Sequence, residues 1–99
     1  MFITITSSKP SSDQLKKAEA FLAQFLPRLE QEPGVVAIYH YSRPDMGDDT
    51  TIVIWENQEA VKAYRQSALI QEAIAFEKEQ NLPATREGYS LLYATLPKT

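Results

Sequence analysis

The chain has 99 residues, with enough aliphatic and aromatic side chains for a single core, so we expect one domain over residues 1–99. Its net charge is -3 and its lysines and arginines are scattered, which argues against a protein that binds nucleic acid or an anionic membrane. It has no cysteine, which excludes disulfides, thiolate nucleophiles and thiolate metal sites. The N-terminus does not resemble a signal peptide and no apolar run reaches membrane-spanning length, so we expect a cytoplasmic protein.

The first half of the chain predicts a strand, a helix and a second strand. Residues 2–6 alternate as a short strand, and Ser11, Ser12 or Asp13 can cap the helix that follows. Pro27 lies inside the helical pattern, which predicts a kink or a break before the helix ends near residue 32. The apolar stripe of this helix consists of Leu15, Ala18, Leu22, Phe25, Leu26 and Leu29.

The second half predicts two further strands separated by helical segments. After Pro33-Gly34, residues 35–42 form a strand, and the polar linker 43–49 leads into an antiparallel partner at 51–55. Asn57 caps a helix directly after this strand, and Ser67 caps a further helical segment that ends near residue 80. The last strand is predicted at 89–95, followed by a tail at 96–99.

The order β-α-β-β-α-β predicts an α+β, ferredoxin-like fold, with a four-stranded antiparallel sheet and helices on one face. Alternation divides the strand residues into two faces. We expect the helices to cover the mainly aliphatic set, which is Ile3, Ile5, Val36, Ile38, Ile52, Ile54, Leu92 and Ala94. The complementary set mixes threonines with aromatic residues, as a partly wet pocket or a sheet-on-sheet interface requires. It consists of Thr4, Thr6, Tyr39, Tyr41, Thr51, Val53, Trp55, Tyr89, Leu91 and Tyr93.

Three stretches resemble the dimeric α/β-barrel superfamily and, within it, the antibiotic biosynthesis monooxygenase (ABM) group. They are Pro33-Gly34-Val35-Val36, then Ile52 to Asn57, and Glu59-Ala60 to Tyr64 to Ser67. The resemblance implies a homodimer whose two sheets face each other as a barrel, with a pocket between sheet and helices. Members of the group include oxygenases that oxidise electron-rich phenols, anthrones or quinols with dioxygen and need neither metal nor flavin, so the resemblance implies no cofactor.

The same resemblance disfavours haem degradation, which other relatives carry out. Haem-degrading members have a tryptophan at the position of Tyr64 and a haem-ligating histidine at the position of Ile74, and this chain has neither. The first-strand asparagine of those enzymes is also missing.

We interpret His40 and Tyr64 as the candidate catalytic residues. His40 is the only histidine, and histidine is the side chain whose ordinary pKa suits a general base near neutrality. By alternation it falls in the aliphatic set near the end of its strand, which also fits a rim or structural role. Tyr64 lies on the inward stripe of its helix, where core packing is the alternative.

Four aromatic residues are candidates for binding a flat aromatic substrate: Trp55, Tyr39, Tyr41 and Tyr93. The alternative for them is a role in packing or in a dimer interface. Arg65 and Arg86 could stabilise an oxyanion, and a solvated surface is the alternative for both. Asp45, Asp48 and Asp49 lack the spacing of a calcium loop and are interpreted as a solvated turn.

The resemblance thus implies a homodimeric ABM-like protein, with no metal and no cofactor, that acts as a monooxygenase of a small aromatic ligand. A non-catalytic dimeric barrel that binds a small hydrophobic ligand, or that has a stress-related role, is the alternative from another class, since no obvious acid–base pair is visible. A monomeric ferredoxin-like regulatory module is a third.

Overall fold

The computed structural model of the chain describes residues 1–43 and 45–95, so Pro44 in the linker and the predicted tail at 96–99 lie outside the described residues. The strands are β1 (Phe2–Ser8), β2 (Val35–Arg43), β3 (Asp48–Trp55) and β4 (Ala84–Ser90). The helices are α1 (Ser12–Leu29), α2 (Gln58–Arg65) and α3 (Ala68–Glu79). None of these helices has the length and apolarity that crossing a membrane requires.

The four strands form one antiparallel sheet in the order β2-β3-β1-β4. This is the strand order of the ferredoxin-like fold, so the predicted fold class is confirmed, with the second helical region divided into α2 and α3. The predicted antiparallel pairing of β2 with β3 is also confirmed.

Each helix begins at a polar cap that the sequence predicts. Ser11 and Gln14 form a capping box, in which the Gln14 N–H donates to Ser11 Oγ at 3.3 Å and the Ser11 N–H donates to Gln14 Oε1 at 2.9 Å. Asn57 Oδ1 accepts from the Ala60 N–H at 2.9 Å, and Ser67 Oγ from the Ile70 N–H at 3.3 Å. These bonds satisfy backbone donors that a helix's first turn otherwise leaves free, and they fix where α2 and α3 begin.

The sequence predicts a kink or a break at Pro27, and the break is wrong, because α1 continues through it to Leu29. Proline removes a single backbone donor, and Pro27 lies in the last turn, where few bonds remain to be lost. The inward face of α1 is as predicted, with Ala18, Phe25 and Leu29 buried against the sheet.

The predicted assignment of the two sheet faces is wrong for β1 and β3. The helices cover the face that carries Thr4, Thr51, Val53 and Trp55, and two of these residues, Val53 and Trp55, belong to the buried core. Partners in register share a face of a sheet, so the other face is defined by two isoleucine pairs, which are Ile3 with Ile54 and Ile5 with Ile52. The isoleucines of β1 and β3 therefore lie on the side away from the helices.

β2 differs from β1 and β3, because its register shifts between Val35 and Ala37 and its later residues lie on the predicted faces. An extra residue in a strand reverses the alternation beyond it. Val35 packs against the core, Val36 is exposed, and Ile38 again faces the helices. Ile38 and His40 thus share the helix side with Val53 and Thr51, their partners in β3.

The last strand lies earlier than predicted, at Ala84–Ser90 and not at 89–95. Its pairing with β1 runs from Ser8–Ala84 to Phe2–Ser90 and stops at Phe2, the first residue of β1. Leu92 and Tyr93 therefore fall beyond the sheet and are 94% and 85% exposed in the protomer.

Candidate functional site

A cavity of about 120 Å³ lies between the sheet and the helices. Its floor is the helix-facing side of the sheet, which contributes threonine hydroxyls, His40 and Asp49. Its walls on the helix side are largely apolar and include Phe21, Phe25 and Phe76. A small cavity with apolar walls and a few convergent polar groups is typical of a small-molecule site.

Four polar residues form a row across the cavity floor, one from each strand. His40, Thr51, Thr6 and Arg86 are successive partners in register from β2 to β4, and all four line the cavity. Neighbouring strands are about 4.8 Å apart, so the row spans about 14 Å from its histidine to its arginine. A base, two hydroxyls and a guanidinium are therefore presented in order along one line.

His40 is held by two neighbours on β3. Its Nε2 lies 3.1 Å from Asp49 Oδ1, and its Nδ1 lies 2.8 Å from Thr51 Oγ1. Asp49 is only 6% exposed, so its partner is the imidazole and not bulk water. An ionised carboxylate only accepts hydrogen bonds, which assigns the proton of the neutral imidazole to Nε2 and leaves Nδ1 to accept from the Thr51 hydroxyl.

Trp55 and Tyr64 form the aromatic end of the site. Trp55 is fully buried, and its Nε1–H donates to Thr4 Oγ1 at 3.0 Å. The ring of Tyr64, on α2, lies with its centroid 5.3 Å from that of Trp55 at an angle of 36°. This tilted contact is a favourable geometry for two aromatic rings.

Burial raises the pKa of the Tyr64 phenol to about 12. Arg86 lowers the pKa, while Glu32 and Glu77 raise it, and the desolvation of the phenolate is the largest cause. Tyr64 is therefore a neutral phenol near neutral pH, able to donate a hydrogen bond but unsuited to act as a base.

An ion pair joins β4 to α3 at the edge of the cavity. Arg86 Nη1 and Nη2 donate to Glu77 Oε1 at 2.9 Å and Oε2 at 2.5 Å, in a two-pronged geometry. Both side chains line the cavity. The guanidinium of Arg86 is therefore already engaged by a carboxylate and is partly neutralised as a partner for a ligand anion.

The structure brings three of the predicted site residues together and separates the other three from them. His40, Trp55 and Tyr64 all line the cavity. Tyr39 and Tyr41 lie on the opposite face of β2 and are 52% and 43% exposed, and Tyr93 follows the end of the sheet. The two arginines that the sequence suggested, Arg65 and Arg86, also line the cavity.

Sequence reasoning missed the polar residues that hold His40. Asp49 was expected in a solvated turn, but β3 begins at Asp48 and turns Asp49 inward. Thr51 lies two residues further along the same strand, so alternation places it beside Asp49. A histidine opposite a threonine in two antiparallel strands was the available signal. Within residues 1–43 and 45–95, no three His, Asp or Glu side chains converge as a set of metal ligands.

Comparison with known proteins identifies a family and a set of solved structures with the same fold. The family described as "Antibiotic biosynthesis monooxygenase" (ABM) matches residues 1–75. Among curated protein sequences, no significant match is found.

Three solved structures illustrate the shared fold. A candidate antibiotic biosynthesis monooxygenase from Deinococcus radiodurans is 17% identical, with a TM-score of 0.87 and 100% of both chains covered. Another from Nitrosomonas europaea is 14% identical, with a TM-score of 0.81 and coverage of 94% of this chain and 100% of that one. A protein from Mycobacterium tuberculosis is 18% identical, with a TM-score of 0.83 and coverage of 96% and 98%. At these identities, the likeness shows the fold alone.

Proposed function

Since the chain belongs to the antibiotic biosynthesis monooxygenase family, we propose that it oxidises an electron-rich aromatic of phenol, quinol or anthrone type with dioxygen, without a cofactor. The observation that carries the proposal is the His40–Asp49 pair, with Nε2 and Oδ1 3.1 Å apart, on the floor of a cavity with apolar walls. A histidine oriented by a buried carboxylate is a suitable acceptor for the proton of a substrate hydroxyl.

The chain's own residues prepare the substrate for oxidation. Removal of the hydroxyl proton toward His40 makes the ring electron-rich, and Asp49 stabilises the imidazolium that forms. The apolar walls on the helix side limit the contact of a bound ring with water, which strengthens electrostatic interactions near it. The neutral phenol of Tyr64, whose ring is held against Trp55, supplies a flat surface and a hydrogen-bond donor beside the ligand ring.

The overall reaction balances with dioxygen as the only oxidant. A phenol with a free para position gives a quinone and water: the para carbon loses its hydrogen and gains one oxygen atom. The second oxygen leaves as water with that hydrogen and the hydroxyl proton. The ring loses four electrons and dioxygen gains four, so no external reductant is needed.

We further propose that the protein acts as a homodimer joined through the sheet face that the helices leave uncovered. That face carries Ile3, Ile5, Ile52 and Ile54 in paired positions, together with exposed Tyr39 and Tyr41. Aliphatic side chains flanked by tyrosines are typical of a dimer interface. The two tyrosines would then contribute to the interface and not to the cavity of their own protomer.

The test of the proposed function is oxygen uptake by metal-stripped protein with hydroquinones, naphthols and anthrones. We expect uptake above the uncatalysed rate, and we expect His40→Gln to lower kcat/KM about 100-fold or more, the usual loss when a general base is removed. Tyr64→Phe removes the proposed hydrogen-bond donor. Its matched control is Tyr41→Phe, because Tyr41 lies on the other sheet face.

A non-catalytic role in binding a small hydrophobic ligand is the second candidate. It is favoured by one observation: both ring nitrogens of His40 are already hydrogen-bonded to other side chains of the protein. Uptake with none of the substrates, together with measurable ligand binding, would replace the oxygenase proposal by this one.

A further inference from the structure

His40 has no ring nitrogen left to meet a ligand directly. Nε2 faces Asp49 and Nδ1 faces Thr51 Oγ1, at 3.1 and 2.8 Å. A base whose lone pair already accepts a hydrogen bond can take a ligand's proton only through the group that donates that bond. On this floor the donor is the Thr51 hydroxyl.

Thr51 has the free acceptor capacity that such a transfer requires. A hydroxyl has one proton and two lone pairs, and the proton of Thr51 is directed to Nδ1 of His40. Among the hydrogen bonds of the described residues, the contact with His40 is the only one that Thr51 Oγ1 makes. Thr51 also lines the cavity, so its lone pairs are available to a hydroxyl inside it.

The Thr51–His40–Asp49 series has the order of groups found in a hydrolase triad, but its surroundings do not favour acyl transfer. A tetrahedral oxyanion needs free donors, usually backbone N–H groups. β3 is a central strand, paired with β1 on one side and β2 on the other, so its backbone donors are used in the sheet. The series is therefore arranged to move a proton and not to stabilise a tetrahedral oxyanion.

Among the proposed substrate types, the cavity volume favours a single-ring phenol or quinol over a three-ring anthrone. Its volume is about 120 Å³, while a cavity of about 150 Å³ in another protein holds benzene. Three phenylalanines line the helix side: the ring centroids of Phe21 and Phe25 are 5.1 Å apart, and those of Phe21 and Phe76 are 4.4 Å apart. These flat faces and the hydroxyl floor complement a single ring with a polar substituent.

We propose that Thr51 is a catalytic residue that contacts the ligand and passes a proton from the hydroxyl group of a single-ring aromatic to His40. The ligand O–H bond breaks as its proton joins Thr51 Oγ1, while the original Thr51 proton joins Nδ1 of His40. The result is a ligand phenolate and an imidazolium facing Asp49, with one proton moved and no electrons transferred. The proposal rests on the proposed function for its role in oxidation, but the proton transfer itself needs no oxygen.

The charges around the relay are compatible with this transfer. Asp49 faces the imidazolium from β3. Arg86 from β4, at the other end of the floor row, is paired with Glu77 from α3. The remaining charged side chains that line the cavity are Arg65 from α2 and Glu87 from β4.

The experiment uses 4-nitrophenol, whose ionised form is yellow, as the probe. Bound to the wild-type protein, it should titrate about one pH unit lower than in free solution, a tenfold change in its ionisation equilibrium. Thr51→Val should abolish this difference and Thr51→Ser should retain it. Thr50→Val is the matched control, because Thr50 lies on the same strand with its hydroxyl on Ser7, on the opposite face.

Three results would overturn the proposal: ionisation of the bound probe that survives Thr51→Val, bound probe that ionises as in free solution, or no binding at millimolar probe. Binding of 2-naphthol about tenfold tighter than 4-nitrophenol would overturn the single-ring assignment. If Thr51→Val does not fold, the ¹⁵N spectrum of wild-type His40 decides instead. A proton on Nδ1 and not on Nε2 contradicts the relay.

The same variants separate this proposal from the oxygenase proposal. Oxygen uptake that Thr51→Val leaves unchanged would remove the relay and keep the oxygenase. Ionisation of the bound probe, with no oxygen uptake from any substrate, would keep the relay and remove the oxygenase.

Discussion

The indole N–H of Trp55 donates to the Thr4 hydroxyl at 3.0 Å, across the two central strands of the sheet. Trp55 has no exposed surface, so Thr4 is the partner that its only polar group requires. This bond explains why a threonine lies on the covered side of the sheet. It also orients the ring that Tyr64 packs against.

Replacing Thr4 by valine should destabilise the protein by about 1–3 kcal/mol, because the buried indole N–H would lose its acceptor. The measurement is the free energy of unfolding in urea. Thr4→Ser keeps the acceptor and serves as the control. A loss for Thr4→Val below about 0.5 kcal/mol, typical of a surface substitution, would mean that the indole finds another partner.

Tyr64 should remain protonated at a pH at which an ordinary tyrosine ionises. Its pKa of about 12 lies above the unfolded value of about 10, so the folded protein retains a proton that the unfolded chain loses. The resulting contribution to stability is complete below pH of about 10 and is lost as the pH rises toward the folded-state pKa. The tyrosinate absorbance difference between wild type and Tyr64→Phe measures this titration. An ionisation near pH 10 in that difference would contradict the assigned burial.

Gly34→Ala should be more destabilising than Gly47→Ala. Both glycines have positive φ, +87° and +75°, so both substitutions strain the backbone by about 1 kcal/mol. Only at Gly34 would the new Cβ meet a neighbour, the Cβ of Ala60 at 2.5 Å, and so separate α2 from the turn before β2. Thermal unfolding of both variants compares them directly. Equal losses would show that α2 adjusts without cost.

Ile5→Lys should convert the proposed dimer to a monomer. Ile5 and its partner Ile52 lie at the centre of the uncovered sheet face, where a charge would be buried without a partner on dimerisation. Light scattering measures the mass. Gln71→Lys, at an exposed position on α3, is the control. A wild-type protein that is monomeric at high concentration would refute the interface itself.

Local signals were sufficient to predict the elements and their order. Ser11, Asn57 and Ser67 each accept a hydrogen bond from the first turn of a helix, as their side chains predict. Such signals depend on residues a few positions apart, which the sequence shows directly.

The faces of the sheet could not be predicted, because both faces have a reason to be apolar. Helices usually cover the aliphatic face of a sheet, so Ile3 and Ile52 were expected to face the helices. The covered side instead carries a cavity, whose floor retains hydroxyls such as Thr51. Which face has the cavity depends on tertiary packing, and the register shift after Val35 removed the remaining guide from alternation.

The position of β4 was set by its partner and not by its own composition. Residues 84–90 are mainly polar, while 89–95 contain more apolar and aromatic residues, so the latter resembled a strand. Pairing with Phe2–Ser8 of β1 selects the polar segment. As a result, Arg86 lies in the row of four polar residues on the cavity floor, and Tyr93 does not line the cavity.

The measurement that tests the central claim most directly is an amide and indole ¹H–¹⁵N titration of the wild-type protein with hydroquinone. We predict that the largest shifts occur at the Trp55 indole N–H and at residues 4, 6, 40 and 51, which line the cavity. Shifts confined to Tyr39, Tyr41 and the isoleucine face would contradict the claim and would place the ligand on the other side of the sheet.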